Sequence, residues 1–398
     1  MSKERPIHAA VLHYAEIGLK GGNRRHFEDI LMRNVKSKLG LHMVGYRRES
    51  GQISVDLARV EGEEVSFEQP DFDFIADNLK RIPGIAYFHF AKRVSSDIDD
   101  LKKTVVDFAS EHDFTTFKVD CRRPNKNYPM KSMDVNIILG SEINQKLSGK
   151  KVQMKNPDLM LRIELQKEDA YLSAGGVRGV GGLPTDQQQK VVLLLSGGLD
   201  SPVAGYMMMK RGCEVILTHY KNDNQMSGAV QDKIEQLAKQ LSRYQVRTKL
   251  YVIPFEELQK EIIMNVKASE RMLVYRKVML NLSSRIADEH KALFLVTGDN
   301  FSQVASQTYE NLAATYADCP KHIFAPLMGL DKNEVIAISK EIETYDISSL
   351  PYGDCCSFFL PKHPQLKATS DMLRNHINSF DLDELGKKAI EEAEIITY

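Results

Sequence analysis

VVLLLSGGLDSPVAGYMMMKRG, Val191 to Gly212, passes from five apolar residues through a turn of small ones into a segment that Pro202 opens and Gly212 closes. A short apolar run bounded by a glycine turn reads as a buried strand. Proline near the start and glycine past the end mark the limits of a helix. Downstream the texture repeats. EVILTHY (214–220), a polar helix from Gln231 to Tyr244, RTKLYVIPF (247–255), a helix from Arg271 to Asp288 and ALFLVTGD (292–299) alternate strand with helix. Such alternation predicts an α/β fold, a doubly wound parallel sheet over residues 191–398.

Ligands of these sheets bind at the carboxyl ends of the strands, where Ser196, Gly197, Gly198, Leu199, Asp200 and Ser201 make the first turn. Two glycines let backbone N–H groups approach a phosphate, and the following helix points its positive end at the same anion. The turn is no Walker A loop, because GxxxxGK[ST] is absent and no lysine follows the glycines. It resembles instead the PP-loop of ATP pyrophosphatases. That resemblance implies adenylation of a substrate, with Asp200 near the leaving pyrophosphate and its Mg²⁺.

The chain has 398 residues, a formal net charge of -1 and 27% charged residues. That length calls for more than one core, and the charge leaves a nucleic-acid partner open, to be decided by local patches. No apolar run reaches the roughly 18 residues of a membrane span, and MSKERPIHAAVLHY lacks the apolar stretch of a signal peptide. Cytoplasm is the expected location. The five cysteines are too scattered for a disulfide framework, and no CxxC spacing announces a metal site. Cys121, Cys213 and Cys319 read as small buried hydrophobes, whereas the neighbours Cys355 and Cys356 stand apart.

Ahead of the glycine turn, IHAAVLHY (7–14) and the periodic FEDILMRNVKSKL (27–39) outline a small α+β module over residues 1–75. A second α+β module over 76–177 contains a helix through Ile75 and Leu79, the helix DDLKKTVVDFA and the strands IAYFHFAKR, FKVDCRR, LMLRIELQ and DAYLSAGG. The glycine-rich GGVRGVGGLPTDQQQK reads as a connection, with residues 178–190 the linker. A GxGxxG fingerprint would need glycine where Pro184 stands. Between Lys118 and Lys131 five cations (Lys118, Arg122, Arg123, Lys126, Lys131) face one acid, Asp120, with Tyr128 among them. This patch is suited to RNA phosphates, and a solvated charged face is its plain alternative. Lys20, Arg24 and Arg25 form a second spot of the same kind. Asp331 can cap a helix that begins at Lys332, a residue that could reach a phosphate or serve as surface charge.

These motifs together resemble one family over nearly the whole chain, the tRNA 4-thiouridine synthases, or tRNA sulfurtransferases. YAEIGLKGGNRRHFEDIL (14–31) is similar to its ferredoxin-like start. FKVDCRRPNKNYPMKSMDVNIILG (117–140) resembles its THUMP module, and TGDNFSQVASQT (297–308) and PYGDCCSFFLPKHP (351–364) resemble two catalytic signatures. The chain departs where Phe301 and Ser302 replace a frequent Leu-Gly. The resemblance implies ATP contacts at Leu194, Leu195, Ser196, Gly197, Gly198, Ser201, His219, Tyr220, Arg276, Gly298 and Gln307. It implies Cys356 as the persulfide carrier, with Cys355 beside it, and 4-thiouridine made at tRNA position 8. The implied partners are tRNA, a cysteine desulfurase or other sulfur donor, and a second copy in a homodimer; no membrane is involved. No rhodanese-like segment is recognisable, so the second thiol is expected from Cys355, a partner or free sulfide. Two other readings remain. One is an N-type ATP pyrophosphatase that adenylates a small carboxylate or amide, the other an RNA-binding module with an idle nucleotide fold. The residues after Pro364 read as helical.

Overall fold

The computed structural model describes residues 6–49, 51–123, 128–166, 169–222, 228–350, 364–379 and 382–398. Lys126, Cys355 and Cys356 lie outside the described residues. Two compact units divide the chain, residues 1–183 and 184–398.

In the first unit β1 (His8–His13), α1 (Arg24–Leu39), β2 (Met43–Glu49), β3 (Gln52–Leu57), the small hairpin β4 (Arg59–Glu61) and β5 (Glu64–Ser66), and α2 (Phe72–Leu79) come first. They are followed by β6 (Tyr87–Ser95), α3 (Ile98–Ser110), β7 (Thr116–Arg122), α4 (Ser132–Lys146), β8 (Lys151–Val152), β9 (Leu159–Leu165), β10 (Asp169–Ala174) and β11 (Val177–Arg178). The two front modules read from the sequence are joined by one sheet. Its order is β2-β3-β1-β6-β10-β9-β7-β8, with β11 also on β6. The cause is backbone pairing: β6 has β1 on one side, Val11 opposite His89, and β10 on the other, Tyr171 opposite Arg93.

Side chains alternate across such a sheet. One face carries Leu12, Ile53, Phe88, Leu161 and Ile163 into two apolar cores beneath the helices. The opposite face mixes polar residues with the small apolar cluster of Ala9, Val11, Ala91 and Tyr171, and it is largely covered because the sheet curls. Strands β3 and β9 stand four places apart in the sheet order, yet Gln166 Nε2 reaches Ser54 Oγ at 3.4 Å and Gln52 Nε2 reaches Glu164 Oε2. The glycine-rich stretch has a packing reason. A Cβ on Gly179 would come within 2.3 Å of the Ile85 carbonyl oxygen, and Gly181 N–H donates to that same carbonyl at 2.7 Å.

The second unit contains β12 (Leu183–Leu194), α5 (Asp200–Lys210), β13 (Arg211–Lys221), α6 (Gly228–Ser242), β14 (Lys249–Pro254), α7 (Glu256–Asn265) and α8 (Arg271–Glu289). Then follow β15 (Phe294–Val296), α9 (Tyr309–Tyr316), β16 (His322–Phe324), α10 (Lys332–Glu341), α11 (Tyr345–Ser349), α12 (Ser370–Asn378), α13 (Leu382–Glu391) and β17 (Glu394–Thr397). The sheet order is β16-β15-β12-β13-β14-β17, and the β12–β15, β13–β14 and β15–β16 pairs are parallel. Two expectations change. Residues 183–190, part of the 178–190 read as linker, are extended and continuous with the first strand of this sheet, a polar stretch with no apolar period. The end of the chain is not all helix: Glu394–Thr397 pairs antiparallel with β14 and supplies the sheet edge.

No helix among the described residues is long and apolar enough to cross a membrane. Cys121 is buried and free, and burial pushes its thiol up to about 12, so it is inert at neutral pH.

Candidate active site

Strand order sets the position of the site. β12 lies between β13 and β15, so the chain leaves the first strand to one side and later returns to the other, and a crevice opens at their carboxyl ends. A cavity of about 410 Å³ lies there. Its lining includes Leu194, Leu195, Ser196, Asp200 and Ser201 from the turn, His219 and Tyr220 from the end of β13, Arg276 from α8, and Gly298 and Gln307 after β15. The volume falls within the roughly 300–1,000 Å³ of small-molecule sites. Gly197 and Gly198 belong to the same turn but are not among its lining residues.

The turn is held from within. Ser201 Oγ accepts from Ser196 N–H at 2.8 Å and donates to the Ser196 carbonyl at 3.2 Å. Ser201 is buried, so its hydroxyl ties the loop to the first turn of α5. Ser348 Oγ donates to the Gly198 carbonyl at 3.3 Å, which secures the other side. Beyond the far end of α5, Gly212 follows the C-cap Arg211 in the left-handed region, at φ +90.

Gly298 has a structural reason beyond room for a nucleoside. A Cβ there would stand 2.6 Å from Ser201 N and 2.9 Å from both Asp200 C and Ser201 Cα. These are backbone atoms of the loop-to-helix junction and cannot rotate away. The β15 end and the glycine turn therefore approach as closely as backbones allow.

Asp299 organises the floor. It is 3% exposed, receives Arg276 Nη2 at 2.6 Å on both oxygens, Gln307 Nε2 at 3.0 Å, and the Tyr316 hydroxyl. Burial alone would raise its carboxyl, but the Arg276 guanidinium together with the Tyr316 and Thr297 hydroxyls outweighs burial and holds it below the usual carboxylate range. Its second effect is orientation. With Nε2 spent on Asp299, Gln307 turns a buried Oε1 that finds no hydrogen-bond partner among the described residues, an acceptor suited to an adenine amino group. His219 Nδ1 lies 3.0 Å from the Leu195 carbonyl, which can only accept, so Nδ1 carries the proton. Tyr220 donates to the Met279 carbonyl at 2.7 Å, and burial raises its hydroxyl above the usual range.

Asp299→Asn is expected to destabilise the second unit by about 1–3 kcal/mol, since it takes the charge from the buried carboxylate that Arg276, Gln307 and Tyr316 share. Urea unfolding measures it. The sign with pH follows from the depressed carboxyl: its contribution is fully present above the unfolded carboxylate range and is lost as pH falls through the lower folded value. Acid unfolding of the wild type would therefore have a component that the variant lacks.

Lys332, which the sequence left ambiguous, reaches the loop. Asp331 caps α10 with a full capping box, and from that first turn Lys332 Nζ lies 2.9 Å from Asp200 Oδ1, while Gln303 Nε2 donates to Asp200 Oδ2 at 3.2 Å. The cation that the turn lacks in sequence thus arrives 132 residues later. Asp299 and Gln303 were missed; an acid directly after a buried strand, TGD, was the available signal. Ser302, in place of a frequent glycine, holds φ +58 with its N–H on the Gln307 carbonyl at 3.0 Å. A left-handed serine costs about 1–2 kcal/mol.

The cationic patch of the first unit is brought together only in part. Lys118 and Arg122 alternate with buried residues along β7, with Arg122 exposed beside Asp120. Arg123 is occupied: Nη1 donates to the Tyr128 and Met130 carbonyls at 2.9 and 2.7 Å. Tyr128 is anchored by its hydroxyl on the Ser96 carbonyl. Lys131 is exposed just before α4, and Arg24 is tied to the Gly18 carbonyl.

A probable tRNA sulfurtransferase of Thermoanaerobacter pseudethanolicus is 37% identical over 362 residues, covering 91% of this chain and 92% of that protein. The chain belongs to the tRNA sulfurtransferase family. The family described as thiamine biosynthesis protein (ThiI) matches residues 186–382, a THUMP domain matches 95–174 and the ThiI ferredoxin-like domain matches 9–88. A second sulfurtransferase, from Acetivibrio thermocellus, is 37% identical over 391 residues, or 97% of this chain and 98% of its own. Among solved structures, a 4-thiouridine synthetase in complex with RNA and bound ATP superposes with a TM-score of 0.86 at 31% identity, covering 98% of this chain and 99% of that one.

Proposed function

We propose that this protein is an ATP-dependent tRNA sulfurtransferase that converts uridine at position 8 to 4-thiouridine. The observation that supports this most directly is the match of 98% of the chain to a 4-thiouridine synthetase bound to RNA and ATP. The catalytic half agrees with it: a lysine-free glycine turn bordering a nucleotide-sized cavity suits release of pyrophosphate rather than γ-phosphoryl transfer.

In this reading Leu194, Leu195, Tyr220 and Gly298 enclose the nucleoside, and Gln307 Oε1 accepts from its base. The Ser196–Ser201 turn and the positive end of α5 receive the phosphates. Lys332 and Asp200 stand beside the turn, where Lys332 neutralises charge on the leaving pyrophosphate. Arg276, held by Asp299, aims fixed positive charge into the same space. Mg²⁺ would find one protein carboxylate, Asp200, and complete its shell with phosphate oxygen and water, as Mg²⁺ commonly does; bound, it shields the phosphate charge. Uridine O4 attacks the α-phosphorus, pyrophosphate leaves, and sulfur then replaces AMP at C4. Cys356 carries that sulfur as a persulfide delivered by a cysteine desulfurase or another donor. The outer sulfur attacks C4 and AMP leaves, giving a mixed disulfide with Cys356. A thiol of Cys355 or a partner then bonds to Cys356 Sγ and releases 4-thiouridine, leaving a disulfide for an external thiol to reduce, or free sulfide does so and restores the persulfide. The half-buried Lys118 and the exposed Arg122 and Lys131 contribute to the RNA surface. Such a substrate places the work in the cytoplasm, and we assign the enzyme there as a homodimer.

The test is incubation with ATP, Mg²⁺, sulfide and unmodified tRNA. AMP, pyrophosphate and thiolated tRNA are expected, all dependent on tRNA. Pyrophosphate released without tRNA would favour adenylation of a small carboxylate or amide, and no turnover the idle nucleotide fold. Lys332→Met is expected to slow pyrophosphate release about 10–100-fold, the worth of a charge-assisted hydrogen bond of roughly 1.5–3 kcal/mol. Single-turnover kinetics read this step.

A further inference from the structure

The curled sheet of the first unit gathers three side chains that the sulfur-transfer reading does not use. His13 ends β1, His89 lies in β6, and Glu164 lies in β9, so the pairing of strands far apart in sequence brings them to one polar face. We propose that His13, His89 and Glu164 bind one divalent transition-metal ion of the zinc type, which pins β1, β6 and β9 together.

Distances come first. One ligand atom from each residue lies within 4.8 Å of the others. His13 Nε2 stands 3.4 Å and His89 Nε2 3.6 Å from the same oxygen, Glu164 Oε1. Ligands about 2.0–2.1 Å from a tetrahedral zinc are separated by about 3.3–3.4 Å, so small shifts would bring these atoms around one ion.

Unmet valence is the second argument. Side-chain exposure is 8% for His13 and 1% for both His89 and Glu164, yet His13 Nε2, both ring nitrogens of His89 and Glu164 Oε1 have no hydrogen-bond partner among the described residues. Each such buried atom costs about 1–3 kcal/mol if left so. One ion would satisfy three of them at once.

Preparation of the ligands is the third. Gln52 Nε2 donates to Glu164 Oε2, which leaves Oε1 to face the rings, and the His13 ring stacks on Tyr87 at 4.2 Å and 9°. Such outer partners orient metal ligands. Two imidazoles and one carboxylate suit zinc and its neighbours better than Mg²⁺ or Ca²⁺. Water completes the coordination.

The experiment uses the full chain with Cys355→Ser and Cys356→Ser, which removes the thiolates able to compete for metal. After chelation and dialysis, Co²⁺ and then Zn²⁺ are titrated in. One equivalent is expected to bind, with visible cobalt bands free of thiolate charge transfer, and zinc should raise Tm. Glu164→Gln and His89→Gln are expected to weaken binding by about 100-fold or more. Absorption fine structure of the zinc-loaded parent gives a readout independent of variant folding, and two imidazoles with oxygen are expected. No stoichiometric binding, unchanged affinity in folded variants, or a first shell with fewer than two imidazoles would each overturn the proposal.

Discussion

Gly298→Ala is expected to lower the rate of tRNA-dependent pyrophosphate release by about 100-fold or more while the chain stays folded. The new methyl group would sit 2.6 Å from Ser201 N and 2.9 Å from Ser201 Cα, against backbone that has no rotamer to change. Something must move, and the junction between the glycine turn and α5 has fewer anchors than β15, whose backbone is paired on both sides with β12 and β16. A shift of about 1 Å at a reacting centre costs roughly 100-fold in rate. The α-phosphate would lose its alignment, and ATP affinity would fall with it. Rapid-quench measurement of pyrophosphate, beside far-UV circular dichroism and a urea transition, separates misalignment from unfolding. A variant with wild-type rate would show that the close approach of the two backbones is not required for the chemistry.

Cys356→Ala divides the reaction at a different point. The variant is expected to release pyrophosphate from ATP and tRNA at the parent rate, because Ser196–Ser201, Lys332 and Arg276 are intact. Thiolated tRNA made from protein-bound sulfur should disappear. The reason is chemical: alanine cannot form the S–S bond of a persulfide, so no sulfur is presented to the adenylated C4. Free sulfide should restore product, since it bypasses the carrier. Thiolation at the parent rate with a desulfurase as donor would move the carrier role elsewhere, with Cys355 next to be replaced. Gly298→Ala fails before pyrophosphate and Cys356→Ala fails after it, so the pair orders the two halves of the reaction.

Much of the catalytic unit was legible because its signals are local. VVLLL, SGGLDS and Pro202 lie side by side, and strand, turn and helix follow from apolar pattern and the backbone freedom of small residues. His219 lies near the end of β13 and Gly298 just after β15, while Gln307 came from the family signature TGDNFSQVASQT, and the cavity receives all three. Residues 183–190 defeated the pattern, since an extended polar segment has no apolar period to announce it. The terminal EIIT defeated it too, because its fate depends on a free edge at β14.

The sequence by itself pointed to the reaction class, through its resemblance to the tRNA sulfurtransferases, with two other readings left open, and it determined the α/β order of the second unit. Only the tertiary structure decided that Lys332 serves that turn, that Asp299 holds both Arg276 and Gln307, that Arg123 is consumed by its own loop, and that His13, His89 and Glu164 meet. The physical reason is range. Backbone conformation and burial period are properties of neighbouring residues and can be read along the chain. Charge pairing and ligand geometry depend on Coulomb and hydrogen-bond contacts of a few ångströms between residues as far apart in sequence as His13 and Glu164, which only the pairing of strands and the packing of helices bring together.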